Sequence, residues 1–142
     1  MEMILEPSAH SFVKPGFYQV MLDHYHTRLM FKCPKVELIF SIVSFGDAHG
    51  VRVPRFFNVD RLVGKPGKNG RFSVSSTRDF PREFLSLFNY QARRKDRYPM
   101  SLFNGVTIEA QVVTVKKARG IEIPEQLRYS KIQRLIKVVE GA

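Results

Sequence analysis

The fold is decided by one long segment near the start of the chain, Phe17-Tyr-Gln-Val-Met-Leu-Asp-His-Tyr-His-Thr-Arg-Leu-Met-Phe31. Tyr18, Val20 and Leu22 alternate with polar neighbours, and a period of two predicts a half-buried β-strand. The alternation is disturbed near His24, where a bulge or a sharp bend would let one strand serve two parts of a curved sheet. We therefore predict that this segment is the long, bent first strand of a curved sheet.

Four more strands and one helix follow from the same kind of pattern. Strands are predicted over residues 36–43, 51–59, 106–115 and 129–139. A helix is predicted over residues 79–88, with Asp79 as its cap and an apolar stripe along one side. Three strands, one helix and two strands is the order of the OB-fold, a small and partly open barrel.

The predicted fold class is therefore mostly β: a five-stranded OB-fold barrel with one helix between strands three and four. It is predicted as a single domain over residues 16–142, preceded by an irregular N-terminal segment over residues 1–15. Another small barrel, or an α+β sandwich built from the same elements, is the alternative architecture.

The charge balance of the chain points to a polyanionic partner. The 142 residues contain 23 Lys and Arg against 13 Asp and Glu, which gives a net charge of +10. Such a balance favours DNA, RNA or an anionic membrane surface. The membrane is disfavoured, because no apolar run approaches the ~20 residues that a spanning helix needs. The N-terminus lacks the pattern of a signal peptide, and the single Cys33 fits a reducing, cytoplasmic location.

The third predicted strand combines cations with aromatic rings, in the segment Val51-Arg-Val-Pro-Arg-Phe-Phe-Asn-Val-Asp-Arg61. Rings stack on bases and cations contact phosphates, so such a strand is suited to single-stranded nucleic acid. Alternation predicts that Phe57 faces the core and that Phe56 faces outward, which makes Phe56 the preferred stacking residue. Arg55 falls on the apolar face, and this conflict predicts a bulge near Pro54.

The candidate nucleic-acid-binding residues are basic or aromatic and come from four segments of the chain. In an OB-fold, the face of strands two and three and two of the loops form the binding surface. The candidates are Tyr25 and Arg28 in strand one, Arg52, Arg55, Phe56, Phe57 and Arg61 in or after strand three, Lys65, Lys68 and Arg71 in the next loop, and Lys116, Lys117 and Arg119 between the last two strands. A core strand with snorkelling arginines and a merely solvated basic turn are the competing interpretations.

No pattern typical of an enzyme or of a metal site is present in the sequence. The chain has no phosphate-binding loop ending in Lys-Ser or Lys-Thr, no Gly-x-Ser-x-Gly turn and no paired His-Glu helix motif. The acidic residues are scattered, whereas a metal-dependent nuclease needs them clustered. His24 and His26 lie on one side of a strand, but zinc requires three or four ligands. We therefore expect no catalytic residue, no metal and no cofactor.

Three parts of the chain carry a resemblance to a known family: Gly16-Phe-Tyr-Gln-Val-Met-Leu22, the Phe-rich second strand, and the closing pair of strands from Gly105 to Val139. They resemble the small OB-fold single-stranded DNA-binding proteins of phages, plasmids and integrative mobile elements. The resemblance covers most of residues 16–139 and rests on element order and composition. The chain departs from it in lacking tryptophan and in ending in Val-Val-Glu-Gly-Ala142 instead of an acidic tail.

The resemblance implies a non-enzymatic protein that coats single-stranded DNA during replication or recombination of a mobile element. We expect it to form a homo-oligomer, because one small OB-fold covers only ~4–16 nucleotides. Two other functions stay open. An RNA-binding OB-fold protein would use the same platform, and a protein-interaction module, including an anti-defence inhibitor, would present the basic surface to an acidic protein partner.

Overall fold

The computed structural model describes residues 12–118 and 120–141. Most of the predicted irregular segment 1–15 and the candidate residue Arg119 therefore lie outside the described residues. The strands are β1 (Gly16–Met30), β2 (Cys33–Ile42), β3 (Arg52–Asn58), β4 (Arg61–Val63), β5 (Gly67–Lys68), β6 (Arg71–Ser73), β7 (Thr107–Val115), β8 (Lys117–Ala118), β9 (Ile121–Glu122) and β10 (Tyr129–Glu140). Within the described residues, the helical elements are α1 (Asp79–Phe88) and two 3₁₀ turns, Met100–Phe103 and Glu125–Leu127.

The main sheet is antiparallel and has the strand order β10-β7-β1-β2-β3, with the short β5 added beside β1. The first residues of β1 pair with β7, and the strand from Val20 onward pairs with β2. The register shifts between Leu22 and His24, so Asp23 is the extra residue of a bulge. The predicted bulge near His24 is thus confirmed, and it lets one strand pair on two sides.

Strand β3 pairs with β2 in an unbroken register from Arg52 to Asn58, so the bulge predicted near Pro54 is wrong. Val53, Arg55 and Phe57 all point to the buried side, and Arg55 is only 8% exposed. The unbroken ladder keeps the side chains alternating in direction, although Pro54 on the outward side is also buried, and a charged residue occupies the apolar face. Strand β3 is an edge strand of this ladder. An edge strand tolerates proline, which has no backbone N–H, so Pro54 needs no bulge.

The charge of Arg55 is neutralised by Glu83 of α1. The guanidinium and the carboxylate form a two-point ion pair, in which Arg55 Nε donates to Glu83 Oε1 at 3.2 Å and Arg55 Nη2 donates to Glu83 Oε2. The guanidinium carbon also lies 4.0 Å from the centroid of the Phe57 ring. A buried cation is tolerated only with such partners, because desolvation of an unpaired charge costs several kcal/mol.

Glu83 also reaches the other end of the sheet. Its Oε1 accepts a hydrogen bond of 3.0 Å from the backbone N–H of Leu135 in β10. Strands β3 and β10 lie in contact at the two ends of the sheet, and within residues 12–118 and 120–141 no backbone ladder joins them. One carboxylate therefore connects β3, α1 and β10 across an open seam.

The core is rich in phenylalanine and is closed on one side by α1. Phe80, Phe84 and Leu87 recur at helical spacing and are buried. Phe80 contacts Phe57 edge to face at a centroid distance of 5.1 Å, which packs the helix against β3. Asp79 is the first helical residue and not the predicted cap; Arg78 holds the cap position, without a side-chain cap hydrogen bond.

Replacing Glu83 with Ala should lower the free energy of unfolding by about 3–5 kcal/mol, because it leaves the Arg55 charge buried without its partner. Urea unfolding followed by circular dichroism measures the effect. The matched control is Arg82→Ala, an exposed change on the same helix, which should alter stability by less than about 0.5 kcal/mol. Equal, small effects of the two changes would show that the seam does not depend on this carboxylate.

Candidate nucleic-acid interface

The sheet formed by β1, β2 and β3 has one face toward the core and one face outward. Side chains of directly paired residues point to the same side of a sheet, so the registers identify the members of each face. We call the outward set the outer face. Its residues are His24, His26 and Arg28 of β1, Lys35, Glu37 and Ile39 of β2, and Pro54, Phe56 and Asn58 of β3.

One row of the outer face crosses four strands and joins residues that are distant in the sequence. Phe56 pairs with Glu37, Glu37 pairs with His26, and His26 pairs with Lys68 of β5. Phe56 is half-buried, while Lys68 is exposed. The structure therefore brings the preferred stacking residue into one row with a lysine of the next loop.

Glu37 is the acidic residue at the centre of this row, and it is 7% exposed. Its Oε1 lies 2.8 Å from His26 Nε2 and 3.3 Å from Arg28 Nη2. These contacts hold the imidazole and the guanidinium in place while Arg28 remains exposed. The carboxylate therefore positions two basic side chains of β1 on the same face as Phe56.

The neighbouring row contains Arg28, Lys35 and Asn58, and Lys35 Nζ donates to Asn58 Oδ1. Beyond it lies the start of β10. Lys131 has a pKa below the ordinary lysine value, because burial disfavours its charge and because Arg55 and Lys35 add positive potential. Lys35, Arg55 and Lys131 form what we call the cation cluster.

Tyr129 places the start of β10 beside the outer face. Burial raises the pKa of its phenol, the charge of Glu37 raises it further, and the charge of Arg28 opposes the rise. Tyr129 comes directly after the segment that contains the β8–β9 hairpin, where Lys116 and Lys117 are exposed. Arg128 is the last residue of this segment, and its Nε donates a hydrogen bond of 3.0 Å to the Ile123 carbonyl.

Two predicted site residues lie in the core. Phe57 is 2% exposed and packs against Phe80, so its ring offers no face to a base on the surface. Arg55 is engaged by Glu83 and contributes charge to the cation cluster but has little accessible surface. Their assignment as direct contacts is therefore corrected, and the reason is the unbroken alternation of β3.

Other candidates occupy separate positions. Tyr25 points to the core side and packs partly against it, and burial raises the pKa of its phenol. Arg52 lies on the outward side of β3 and forms an ion pair with Asp23, with 3.0 Å between Arg52 Nε and Asp23 Oδ2. Arg61, Lys65 and Arg71 are exposed on the β4–β6 segment, which was predicted as a loop but forms a two-stranded ribbon.

Sequence reasoning missed Lys35, Glu37, Tyr129 and Lys131. Alternation in strand two could have placed Lys35 and Glu37 outward, since Val36 and Leu38 are the residues between and after them. No local signal indicates that Lys131 is influenced by the charges of Lys35 and Arg55, because β10 meets β3 only across the seam of the curved sheet.

The β5 turn is held against β1 by close backbone contacts. Gly67 N donates to Thr27 Oγ1 at 3.2 Å, and Asn69 N donates to the Tyr25 carbonyl at 3.0 Å. A Cβ on Gly70 would lie 2.0 Å from Thr27 Oγ1 and 2.9 Å from the Gly67 carbonyl oxygen. Glycine is therefore required at position 70 for the turn that carries Lys68.

The comparisons with known proteins identify no relative. No protein-family model matches the chain, and no curated protein or solved structure is significantly similar to it. Within the described residues, no group of three or more His, Cys, Asp or Glu side chains is placed to hold a metal ion. No helix in the described part of the chain is long and apolar enough to cross a membrane.

Replacing Gly70 with Ala should lower the free energy of unfolding by about 1–3 kcal/mol, because the new methyl group overlaps Thr27. Hydrogen exchange at the amides of Gly67 and Asn69 should accelerate as the turn moves off β1. The same change in a Thr27→Ala background tests the cause. If the cost of Gly70→Ala is not smaller there, contact with Thr27 Oγ1 is not its origin.

Proposed function

We propose that this protein is a non-enzymatic single-stranded DNA-binding protein built on an OB-fold barrel. The observation that carries the proposal is the outer face, on which Phe56 stands in one row with Lys68 and next to the row of Arg28 and Lys35. This surface offers an outward ring, Phe56, together with basic groups of the neighbouring strands. Rings and cations in one groove are what a flexible, charged strand needs for binding.

The strand order supports the choice of the OB-fold. In that fold the first strand pairs on two sides and the barrel stays partly open. Here β1 pairs with β2 and with β7, while β3 and β10 meet at a seam connected through Glu83. The helix lies in the chain after β3 and before β7, as the OB order requires.

The proposed path of the strand runs along the outer face toward the start of β10. Phe56 stacks on a base, Arg28, Lys35 and Lys68 contact phosphates, and Lys116 and Lys117 approach from the β8–β9 hairpin. At the cation cluster a phosphate would lie beside Lys35 and Lys131. It would raise the pKa of Lys131, which burial and, to a smaller extent, the charges of Arg55 and Lys35 lower in the free protein.

The proposed function requires no catalytic residue and no cofactor. We place it in the cytoplasm, where it would act in replication or recombination of a mobile element. RNA or an acidic protein would contact the same cations. The binding experiment distinguishes single-stranded DNA from these two partners.

Fluorescence anisotropy with labelled oligo-dT, oligo-U and duplex DNA over a salt series tests the proposal. Oligo-dT should bind with micromolar or tighter affinity, and each cation that contacts a phosphate adds about 0.7 to the slope of log affinity against log salt. Tighter binding of oligo-U would favour the RNA-binding alternative. Absence of binding to all three at low salt would overturn the nucleic-acid proposal and leave an acidic protein as the partner.

Phe56→Leu should weaken oligo-dT binding by about 1–3 kcal/mol with little change in the salt slope, because stacking is lost and charge is kept. Phe56→Tyr keeps the ring face and should retain most of the affinity. The control is Tyr90→Leu, a 41% exposed ring that follows α1 and belongs to neither the outer face nor the β8–β9 hairpin, and it should bind as the unaltered protein does. Loss of affinity in Tyr90→Leu equal to that in Phe56→Leu would place the strand elsewhere.

The pH dependence of binding should report on Lys131. Its pKa is lowered in the free protein and rises when a phosphate is bound, so binding takes up a proton in the alkaline range. Affinity should therefore fall, by up to about tenfold, as the pH rises from about 7 to about 10, reflecting one charged hydrogen bond. Lys131→Arg keeps its charge throughout this range and should flatten the profile.

Tyr129 and Tyr25 do not add to this profile below about pH 10, because burial raises the pKa of both phenols. An unchanged profile in Lys131→Arg would mean that other groups cause the loss and that no phosphate sits at the cation cluster.

A further inference from the structure

Four exposed apolar side chains border two adjoining grooves that share Tyr18, Ser44 and Phe45. Phe45 is 103% exposed, Phe17 62%, Phe12 59% and Val139 40%. We call these four residues the aromatic patch. Monomeric proteins rarely leave large rings grouped in water, and such a patch marks an interaction surface.

The loop that carries Phe45 is held in place by hydrogen bonds on both sides of the ring. Gln19 N donates to Ser44 Oγ at 2.7 Å, and Val43 N donates to the Gln19 carbonyl at 2.8 Å. On the other side, His49 N donates to the Gly46 carbonyl at 3.2 Å. The exposed ring is therefore presented by an ordered backbone.

Phe45 stands between two grooves. The larger groove has a volume of about 510 Å³ and is bordered by Phe17, Glu109, Lys137 and Val139. The smaller, of about 270 Å³, is bordered by Phe12, Lys14, Tyr18 and Asp47. A projecting ring beside an open groove on one surface is self-complementary, as the shared patch of a two-fold dimer must be.

The charges around the patch favour a second copy of this chain as its occupant. The larger groove has one acidic and one basic residue, Glu109 and Lys137, and the smaller has Lys14 and Asp47. The whole chain carries +10, so two copies repel each other except where the local charge is balanced. An acidic protein or a nucleic acid gains nothing from this neutral surface.

We propose that two copies associate through the aromatic patch about a two-fold axis. Phe45 of each copy occupies the larger groove of the other, beside Phe17 and Val139. Glu109 and Lys137 of that groove neutralise each other within one copy, with 3.9 Å between Lys137 Nζ and Glu109 Oε1, so no net charge opposes the approach. The patch is small, so the interface lies at the weak, micromolar end of the range. Phe17 and Arg28 are separated by up to about 35 Å of strand, so the dimer leaves both outer faces open.

Sedimentation equilibrium of the full chain over a concentration series, without nucleic acid, tests the dimer. The unaltered protein should dimerise in the micromolar range, and Phe45→Ser should weaken dimerisation by at least about tenfold. Its unfolding curve should not change, because Phe45 contributes no buried surface in the monomer. The control is Ile121→Ser, which removes a 72% exposed apolar side chain from β9 and should leave dimerisation unaltered.

A charge change tests the requirement for a neutral groove. Glu109→Lys replaces the Glu109–Lys137 ion pair with two cations and should weaken the dimer, because the grooves of the two copies then repel each other. A monomeric unaltered protein up to about millimolar concentration, or a Phe45→Ser protein that dimerises as before, would overturn the proposal. Since nucleic acid is absent from these measurements, their outcome is separate from that of the oligonucleotide binding.

Discussion

Arg55 carries a charge on the apolar face of β3, and the arrangement of the chain around it depends on neutralising that charge. Glu83 does so from α1 and uses its remaining hydrogen-bonding capacity on the Leu135 amide of β10. Three elements that are far apart in the sequence thus meet at one carboxylate. Buried ion pairs rarely add much stability over an apolar core, but they are costly to break and they favour one arrangement. Here that arrangement brings the end strands of the sheet together at the seam.

The seam also determines where the proposed binding surface can lie. Because β10 comes alongside β3, Lys131 approaches Arg55 and Lys35, and Tyr129 approaches Glu37 and Arg28. The outer face would otherwise be a half-neutralised surface, since Glu37 contacts both His26 and Arg28. The aromatic patch around Phe45 consists of other residues, and the two charges that border its larger groove, Glu109 and Lys137, are paired with each other. The two proposals therefore concern separate surfaces of one sheet.

Periodicity predicted the strands and the helix well, because alternation and helical spacing are local properties. The bulge at Asp23 was also visible as a disturbed period near His24. The same reasoning failed at Pro54, where an arginine on a valine face suggested a bulge that β3 does not have. The error came from treating a charged residue as incompatible with the core, when Glu83 lies 28 residues away to pair with it. The ribbon β4–β6 was missed because three-residue strands are too short to show a period.

From the sequence alone came the long bent strand, the order of the main strands and the helix along the chain, the excess of positive charge and the choice of Phe56 over Phe57 as the outward ring. These depend on residue types and on spacing along one strand, and both can be read without knowing any partner. Only the tertiary structure decided the side and the partner of Arg55, the row from Phe56 to Lys68, and the approach of Lys131 to Lys35. Alternation states which side of a strand a residue takes. The residue that it meets across a seam is set by pairing between distant segments, which no local pattern records.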